Sequence, residues 1–463
     1  MMAHAKKARQ FLSDEPRADW QDKALWAVRR KRDVAAGSVK EWEQLREQAS
    51  QIRENVLSNL AEYLLQFEQA AQQNGVQVCW AENDRQFNET ILRIIRDNQA
   101  VKVVKSKSML TEECGLNHFL EKEGVEVVDT DLGERIIQFR NEPPSHIVLP
   151  AIHLKKEEVG ELFHEKLGTE EGNSDPTYLT AAAREHLRKK FLEADVAITG
   201  VNFAVAESGT VVVCTNEGNA DMGVHAAPVQ IHCMGIEKII PRNEHLGIFT
   251  RLLARSATGQ AVTTYTSHYR KPKPGGQMYI VIADNGRSAH LGSGTYRNSL
   301  KCIRCGACMN TCPVYRRSGG YSYGSVIPGP IGSILAPVYR MKEKQDLPFA
   351  SSLCGSCSSV CPVKIDIHSQ LYRWRQEITE KKLISGTKRF VLSIAGRVLA
   401  GNMMYNFAGK AVRRALKHMP RKMIYNSLNV WGRDRELPEV PEMSFKEWYK
   451  KNGRNFKESQ KKQ

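Results

Sequence analysis

Seven of the 11 cysteines in this chain lie in two short stretches, where their spacing suits metal binding. The first stretch holds Cys302, Cys305, Cys308 and Cys312, and the second holds Cys354, Cys357 and Cys361. The first is a C-x2-C-x2-C-x3-C run that ends in proline, and the second repeats its last three positions and its proline. This pattern is typical of bacterial ferredoxins with two 4Fe-4S clusters.

The ferredoxin pattern also predicts which thiolates share a cluster. The first three cysteines of such a run bind one cluster, and the fourth binds the other. One cluster would therefore be held by Cys302, Cys305, Cys308 and Cys361. The second would be held by Cys312, Cys354 and Cys357.

The second stretch lacks one cysteine, because Ser351 stands where the first stretch has Cys302. The fourth position of the second cluster has several candidates: Ser351, His368, solvent, a partner protein, or no fourth iron at all. The sequence does not choose among them.

Structural zinc is the alternative metal, since pairs of C-x2-C also form tetrahedral sites with four cysteines. Seven cysteines do not divide into such sites, and both proline endings favour iron-sulfur clusters. Two adjacent clusters predict one-electron transfer. The other four cysteines, Cys79, Cys114, Cys214 and Cys233, are isolated and predicted to pack in the core.

The length of 463 residues predicts more than one folded unit. The N-terminus has no apolar segment typical of a signal peptide, and no stretch reaches the ~20 apolar residues of a membrane span. We therefore expect a cytoplasmic protein with reduced thiols. Residues 371–463 hold 22 basic and 8 acidic side chains, so most of the net charge of +16 lies at this end.

Hydrophobic periodicity predicts the elements that position the cysteines. Residues 1–74 are predicted to be a helical segment, with one long helix from Ser38 to Asn74. Strands alternate with helices over residues 75–288, which predicts βαβ units and a mostly parallel sheet. A linker follows within residues 285–294, then a helical two-cluster domain over 289–375. Residues 376–463 are predicted to be a basic helical tail with a disordered end.

The segments from Gly200 to Met222 and from Leu252 to Ser288, followed by the cysteine stretches and GSVIPGPIGSIL, resemble the LUD-domain iron-sulfur proteins. The likeness covers nearly the whole chain. It implies an α/β LUD domain similar to the ribose-5-phosphate isomerase and CoA-transferase group, fused to an all-α ferredoxin domain. It also implies the same two sets of cluster cysteines.

The resemblance implies a function in oxidation of L-lactate to pyruvate. This chain would carry electrons in a three-protein system, between a subunit with cysteine-rich domains and a smaller LUD-only subunit. It would then be an electron-transfer component and not a catalyst by itself.

Two alternatives remain open. The LUD domain could itself bind and oxidise the hydroxy acid in a polar pocket, with Glu207 as a weak catalytic candidate and Ser208, Thr210, Asn216, Glu217 and Asp221 nearby. Alternatively, the clusters could sense redox state in a regulatory protein. The basic tail suits an acidic redox partner or an anionic membrane surface. Nucleic acid is not favoured, because no recognition module is present.

Overall fold

The computed structural model describes residues 3–426 and 435–460. The chain divides into two compact units, Met1–Glu377 and Ile378–Gln463. The first unit contains a parallel sheet, its flanking helices and all seven clustered cysteines.

The large sheet has six strands in the order β1-β10-β7-β4-β2-β3, and each neighbouring pair is parallel. Its strands are β1 Gln77–Ala81, β2 Lys102–Lys105, β3 Glu126–Asp129, β4 Val196–Gly200, β7 Val229–Gly235 and β10 Gln277–Ala283. The structure thus confirms the predicted parallel α/β sheet. The specific likeness to the isomerase and transferase group stays a prediction.

A smaller sheet has the order β8-β5-β6-β9, with strands β5 Phe203–Val205, β6 Thr210–Thr215, β8 Ile239–Ile240 and β9 Tyr265–Tyr269. Strands β5 and β6 form a hairpin, and Gly209 in its turn has a φ of +66°.

Helices cover both faces of the large sheet, as α/β architecture requires. They are α5 Asp84–Asp97, α6 Met109–Glu113, α7 Leu116–Lys122, α8 Leu132–Phe139, α9 Lys156–Leu167, α10 Pro176–Leu192, α11 Asn219–Ala226 and α12 Leu246–Ala257. Successive strand residues face opposite sides. Val103 accordingly packs in the core with Phe87 and Ile91, whereas Val104 packs in the core with Phe67 and Phe191.

Four helices precede the sheet: α1 Ala3–Leu12, α2 Glu15–Gly37, α3 Trp42–Ser58 and α4 Leu60–Gln73. The prediction of one long helix from Ser38 to Asn74 was wrong. The chain leaves helical geometry at Asn59, with φ −126° and ψ 34°. The Asn59 side chain donates to the Asn55 carbonyl at 3.0 Å, and such local bonds compete with a continuous helix.

The cysteine-rich region is helical, as predicted, with α14 Ala307–Thr311, α15 Pro313–Ser318, α16 Gly329–Lys344, α17 Ser356–Val360 and α18 Ile367–Glu380. The predicted linker before it is instead a short helix, α13 Arg287–Leu291. Both Arg287 and His290 in this helix are buried. Each has a polar partner there: Arg287 pairs with Glu113, and His290 Nε2 lies 2.9 Å from the Tyr296 carbonyl oxygen.

The second unit contains α19 Gly386–Ala400, α20 Asn402–His418, α21 Arg421–Ile424 and α22 Phe445–Gln460. The predicted disordered end is therefore helical as far as residue 460, and residues 461–463 lie outside the described residues. Ser444 and Glu447 form a reciprocal cap at the start of α22, which explains the helix. No helix in the described ranges has the length and apolar character needed to cross a membrane.

Candidate functional site

The seven cysteines form two neighbouring groups, and each group draws on both stretches of sequence. Burial raises the pKa of Cys305, and the next contributions come from Cys361 and Cys302. Burial, together with smaller contributions from Cys312 and Cys354, raises the pKa of Cys357 to about 12. Cys361 is therefore a neighbour of Cys305, and Cys312 is a neighbour of Cys357. Cys308 interacts with Cys357 as well as with Cys361, so the two groups adjoin each other.

The two groups follow the same backbone path. Each contains a non-glycine residue with positive φ, Arg304 at +60° and Leu353 at +55°, two positions before a glycine with positive φ. Those glycines, Gly306 at +76° and Gly355 at +79°, begin the short helices α14 and α17. The two helices pack against each other. The sequence repeat is thus also a structural repeat.

The environment of the thiols fits an iron-sulfur cluster. Burial raises the pKa of Cys361 to about 11, and backbone N–H groups donate to sulfur at Cys302, Cys312 and Cys361 over 3.4–3.5 Å. Thiolates held this close together would be stabilised by a cationic centre among them. N–H donors to sulfur are one of the devices that tune such centres.

Across the described residues, no set of three or more His, Cys, Asp and Glu side chains could hold a single metal ion. A 4Fe-4S cluster has four irons, one for each protein ligand, so its cysteines need not converge on one point.

Arginines from the N-terminal helices hold the end of α17. Arg46 in α3 donates through Nε and Nη2 to the Cys361 carbonyl at 3.0 and 2.8 Å, and Arg32 in α2 donates to the Val360 carbonyl at 3.2 Å. A cation at the carbonyl end of a helix is stabilising. These helices therefore position the last cysteine of the first group.

Three cations lie close to Cys302: Arg53, Lys238 and Arg304. Arg53 is buried and joins the sheet region to the cysteine region, because it donates to the carbonyls of Ile239 at 2.9 Å and Leu300 at 2.8 Å. Burial lowers the pKa of Lys238 to about 8. The first group is thus surrounded by positive charge.

A cavity of about 630 Å³ lies at the carboxyl ends of the parallel strands. Its walls include Ser106 and Lys107 after β2, and Gly200 and Gly235, the last residues of β4 and β7. Open α/β sheets bind ligands at this edge. Arg304, which stands between Cys302 and Cys305 in the chain, is also in the wall, so the cavity reaches the first cysteine group.

Three acidic residues of this wall, Glu113, Asp131 and Glu237, are already paired with cations. Arg287 lies 3.0 Å from Glu113 and 2.7 Å from Glu237, bridging the two carboxylates. Lys107 lies 2.9 Å from Asp131. The guanidinium Nη1 of Arg304 is buried with no hydrogen-bond partner among the described residues. The wall can therefore accept an anion at Arg304.

The residues predicted to line a LUD pocket are divided by the structure. Asn216 and Glu217 line the cavity, and burial raises the pKa of Glu217. Glu207 does not line the cavity: it is exposed at the hairpin turn and accepts from the Asn243 backbone N–H at 2.9 Å. Asp221 accepts from the Tyr269 hydroxyl at 2.8 Å.

Sequence reasoning missed Arg46, Arg53, Lys238 and Arg304. Three of them lie far along the chain from the cysteines they approach, and nothing in their local sequence marks them. Arg304 could have been predicted to lie near the first group, because it stands inside the cysteine run itself.

Comparison with known proteins agrees with this architecture. A LUD domain model matches residues 64–288, and a 4Fe-4S dicluster domain model matches residues 298–365. Lactate utilization protein B of Bacillus cytotoxicus is 42% identical over 429 residues, covering 90% of each chain. An uncharacterized electron transport protein, YkgF of Escherichia coli K12, is 40% identical over 422 residues, covering 89% of this chain and 88% of the relative.

A crystal structure of a DUF162 family protein from Deinococcus radiodurans matches 48% of this chain and 98% of its own, at 12% identity and a TM-score of 0.27. A structural similarity this low supports no conclusion about this chain. Fold and family models together define the class: a LUD domain joined to a 4Fe-4S dicluster domain. Within that class, the identity over nine-tenths of the chain shows that it belongs to the lactate utilization protein B family.

Proposed function

We propose that this protein carries single electrons between two 4Fe-4S clusters during oxidation of L-lactate to pyruvate. Cys302, Cys305, Cys308 and Cys361 would hold the first cluster, and Cys312, Cys354 and Cys357 the second. The observation that carries the proposal is the crossed grouping, in which Cys361 and Cys312 each join the opposite stretch. Crossed ligation is the arrangement of two-cluster ferredoxins.

The number of clusters suits the reaction. Oxidation of L-lactate to pyruvate releases two electrons and two protons. Two one-electron centres can together accept that pair, and a two-electron oxidation at a partner can thus be coupled to one-electron carriers.

The relatives named for lactate utilization support the metabolic assignment. We infer that this chain is one subunit of a cytoplasmic system that also contains a subunit with cysteine-rich domains and a LUD-only subunit. The basic second unit would dock an acidic redox partner, with an anionic membrane surface as the alternative. Binding that weakens as salt rises would support either electrostatic contact.

The first test is iron and acid-labile sulfide per chain after anaerobic purification, with EPR during a redox titration. About eight irons and two reducible centres are expected. Cys361→Ala should remove the first cluster and Cys357→Ala the second. Loss of the same cluster in both variants would contradict the crossed ligand sets, and zinc in place of iron would end the electron-transfer proposal.

A second candidate function is oxidation of the hydroxy acid in the LUD cavity itself. The observation that favours it is Arg304, whose free guanidinium nitrogen lies in the cavity wall beside the first cysteine group. A carboxylate of the substrate would bind there, with Lys238 as a second cation. Electrons would then pass directly to the neighbouring cluster.

Calorimetry of the anaerobic protein with L-lactate tests this candidate. Lys238→Met should weaken lactate binding ~10-fold or more, because a charge-assisted hydrogen bond contributes about 1.5–3 kcal/mol. Lys271→Met is the matched control, since Lys271 lies outside the cavity wall. Turnover of lactate with an artificial acceptor and no partner protein would favour this candidate over a pure carrier. Absence of both binding and turnover would exclude it.

A further inference from the structure

The fourth ligand position of the second cluster is the feature left without a cysteine. Ser351 occupies it in sequence, three residues before Cys354, as Cys302 stands three residues before Cys305. A serine there is by itself ambiguous, because an exposed loop serine needs no ligand. The geometry around it resolves the ambiguity.

The side chains of Cys302 and Ser351 make the same local contact. The Arg304 N–H donates to Cys302 Sγ at 3.4 Å, and the Leu353 N–H donates to Ser351 Oγ at 3.1 Å. In both loops the donor lies two residues after the acceptor. Each donor also has the positive φ that is unusual for a side chain larger than glycine.

Strain of this kind persists only where the surroundings demand it, and it concentrates at functional sites. Leu353 is only partly buried, so core packing does not account for its left-handed conformation. The shared conformation does turn the residue two positions earlier in the same direction in both loops. The Ser351 oxygen thus points as the Cys302 sulfur points.

Arg375 fixes the segment that carries Ser351. Its guanidinium donates to the Pro348 carbonyl at 2.9 Å and to the Ser351 carbonyl at 2.6 Å. A loop held at two backbone carbonyls just before the turn presents a defined side chain. Such pre-organisation is what a ligand to a metal centre requires.

We propose that Ser351 Oγ is the fourth ligand of the second cluster. This inference rests on the proposed two-cluster function and adds the identity of one ligand. The hydroxyl would lose its proton to solvent, form an Fe–O bond and displace a water from the fourth iron. The cluster would then have three cysteine ligands and one serine ligand.

His368 is the main protein alternative and has another contact. Its Nδ1 lies 2.7 Å from Ser358 Oγ, and its backbone N–H donates to the same oxygen at 3.1 Å. The ring is thereby held against the residue that follows Cys357.

The test compares Ser351→Ala, Ser351→Cys, Ser359→Ala and His368→Ala with the unaltered protein by iron content and EPR. The unaltered protein and Ser351→Cys should each hold about eight irons. Ser351→Ala should fall to about seven and show an oxidised 3Fe signal. Ser359→Ala, a control at an exposed serine of α17, should keep the full iron content. Because thiolate is softer than alkoxide, Ser351→Cys should also raise the potential of the second cluster.

The exchanged variant Cys302→Ser gives a second, independent measurement. It should give the first cluster the proposed ligand set of the second and lower the first potential. Unchanged iron in Ser351→Ala, iron loss in His368→Ala alone, or a 3Fe signal already present in the unaltered protein would overturn the serine ligand. Absence of iron from every preparation would instead overturn the proposed function.

Discussion

Around the first cysteine group the protein is closed and positively charged, whereas the second group reaches the surface at Cys354. Arg53, Lys238 and Arg304 lie near the first group, and the LUD cavity ends there. The two loops nevertheless share one backbone path, down to the positive φ at matching positions. The repeated loop therefore determines the positions of the ligands, and the surrounding protein determines the charge and the accessibility of each centre.

The difference suggests a division of labour within the proposed function. Arg304, which lies within the first cysteine stretch, lines the cavity, where a small molecule can approach. The open group faces solvent, where a partner protein can approach. Electrons would then pass between the inside of the LUD domain and the surface.

Thiol reactivity should separate the two groups most strongly. The Ser352 hydroxyl lowers the pKa of Cys354, whereas burial raises the pKa of Cys361 to about 11. In the cluster-free chain at pH 7.5, Cys354 should react with iodoacetamide more than ~1,000-fold faster than Cys361, because thiolate fraction and access both favour it. Peptide mass spectrometry over time measures this, with circular dichroism to check folding. Equal rates would show that the first group is not closed.

A pair of glycine substitutions compares the space around the two loops. Gly355→Ala should cost about 1–2 kcal/mol from its positive φ, since an added Cβ meets no atom within 4 Å. Gly306→Ala should cost a further ~1–3 kcal/mol, because its Cβ would lie 3.1 Å from Val148 and 3.2 Å from His146. Denaturant unfolding of the cluster-free chains gives both values. A larger cost at Gly355 would reverse the comparison.

We expect the folding stability to depend on pH through His146, which lies beside the first cysteine group. His146 Nδ1 accepts from the N–H groups of Val148 at 3.0 Å and Leu149 at 3.1 Å, so its Nε2–H donates to Asn310. Burial lowers the pKa of His146 from 6.5 to about 4. The unfolded chain thus binds this proton at higher pH than the folded chain, and stability is lost as pH falls from about 6.5 towards 4.

The loss should amount to about 2 kcal/mol between pH 7 and pH 5. His146→Gln should flatten the pH dependence of unfolding by that amount, and His368→Gln beside the second group is the control. Parallel pH profiles for the protein and His146→Gln would show that this histidine does not titrate as described.

The smallest effect should be on reduction potential. Reduction adds negative charge, so loss of a nearby cation disfavours it. Lys238→Met should lower the potential of the first cluster by tens of millivolts, on the order of 1 kcal/mol or less, and leave the second unchanged. A redox titration followed by EPR resolves the two centres. Equal shifts in both would contradict the charge asymmetry.

Sequence alone predicted the parallel sheet and the helical cysteine region, because period-two and 3.6-residue patterns are local. The prediction of a linker over residues 285–294 was wrong, because the contacts that order this segment are not local. Arg287 and His290 are polar, and only distant partners such as Glu113 explain their burial. The helix at the end of the tail was locally predictable, since Ser444-x-x-Glu447 is a capping signal.

At the candidate site, spacing predicted the two cysteine sets, and these remain predictions until the clusters are measured. Apart from Arg304, the cationic residues near the first group could not be predicted from the sequence. Arg53, for example, contacts residues 186 and 247 positions away. A single sequence carries no signal for such pairs.

The bond between Arg46 and Cys361 also bears on synthesis of the protein, since its partners are 315 residues apart. A ribosome adding 5–20 residues per second needs tens of seconds to pass from one to the other. Throughout that interval the N-terminal helices exist without the carbonyls they bind, and Cys302, Cys305 and Cys308 emerge before Cys361 can join them. With the proposed ligand set, the first group is complete only after residue 361 has emerged, and a chain truncated before residue 361 should accumulate without a complete first cluster.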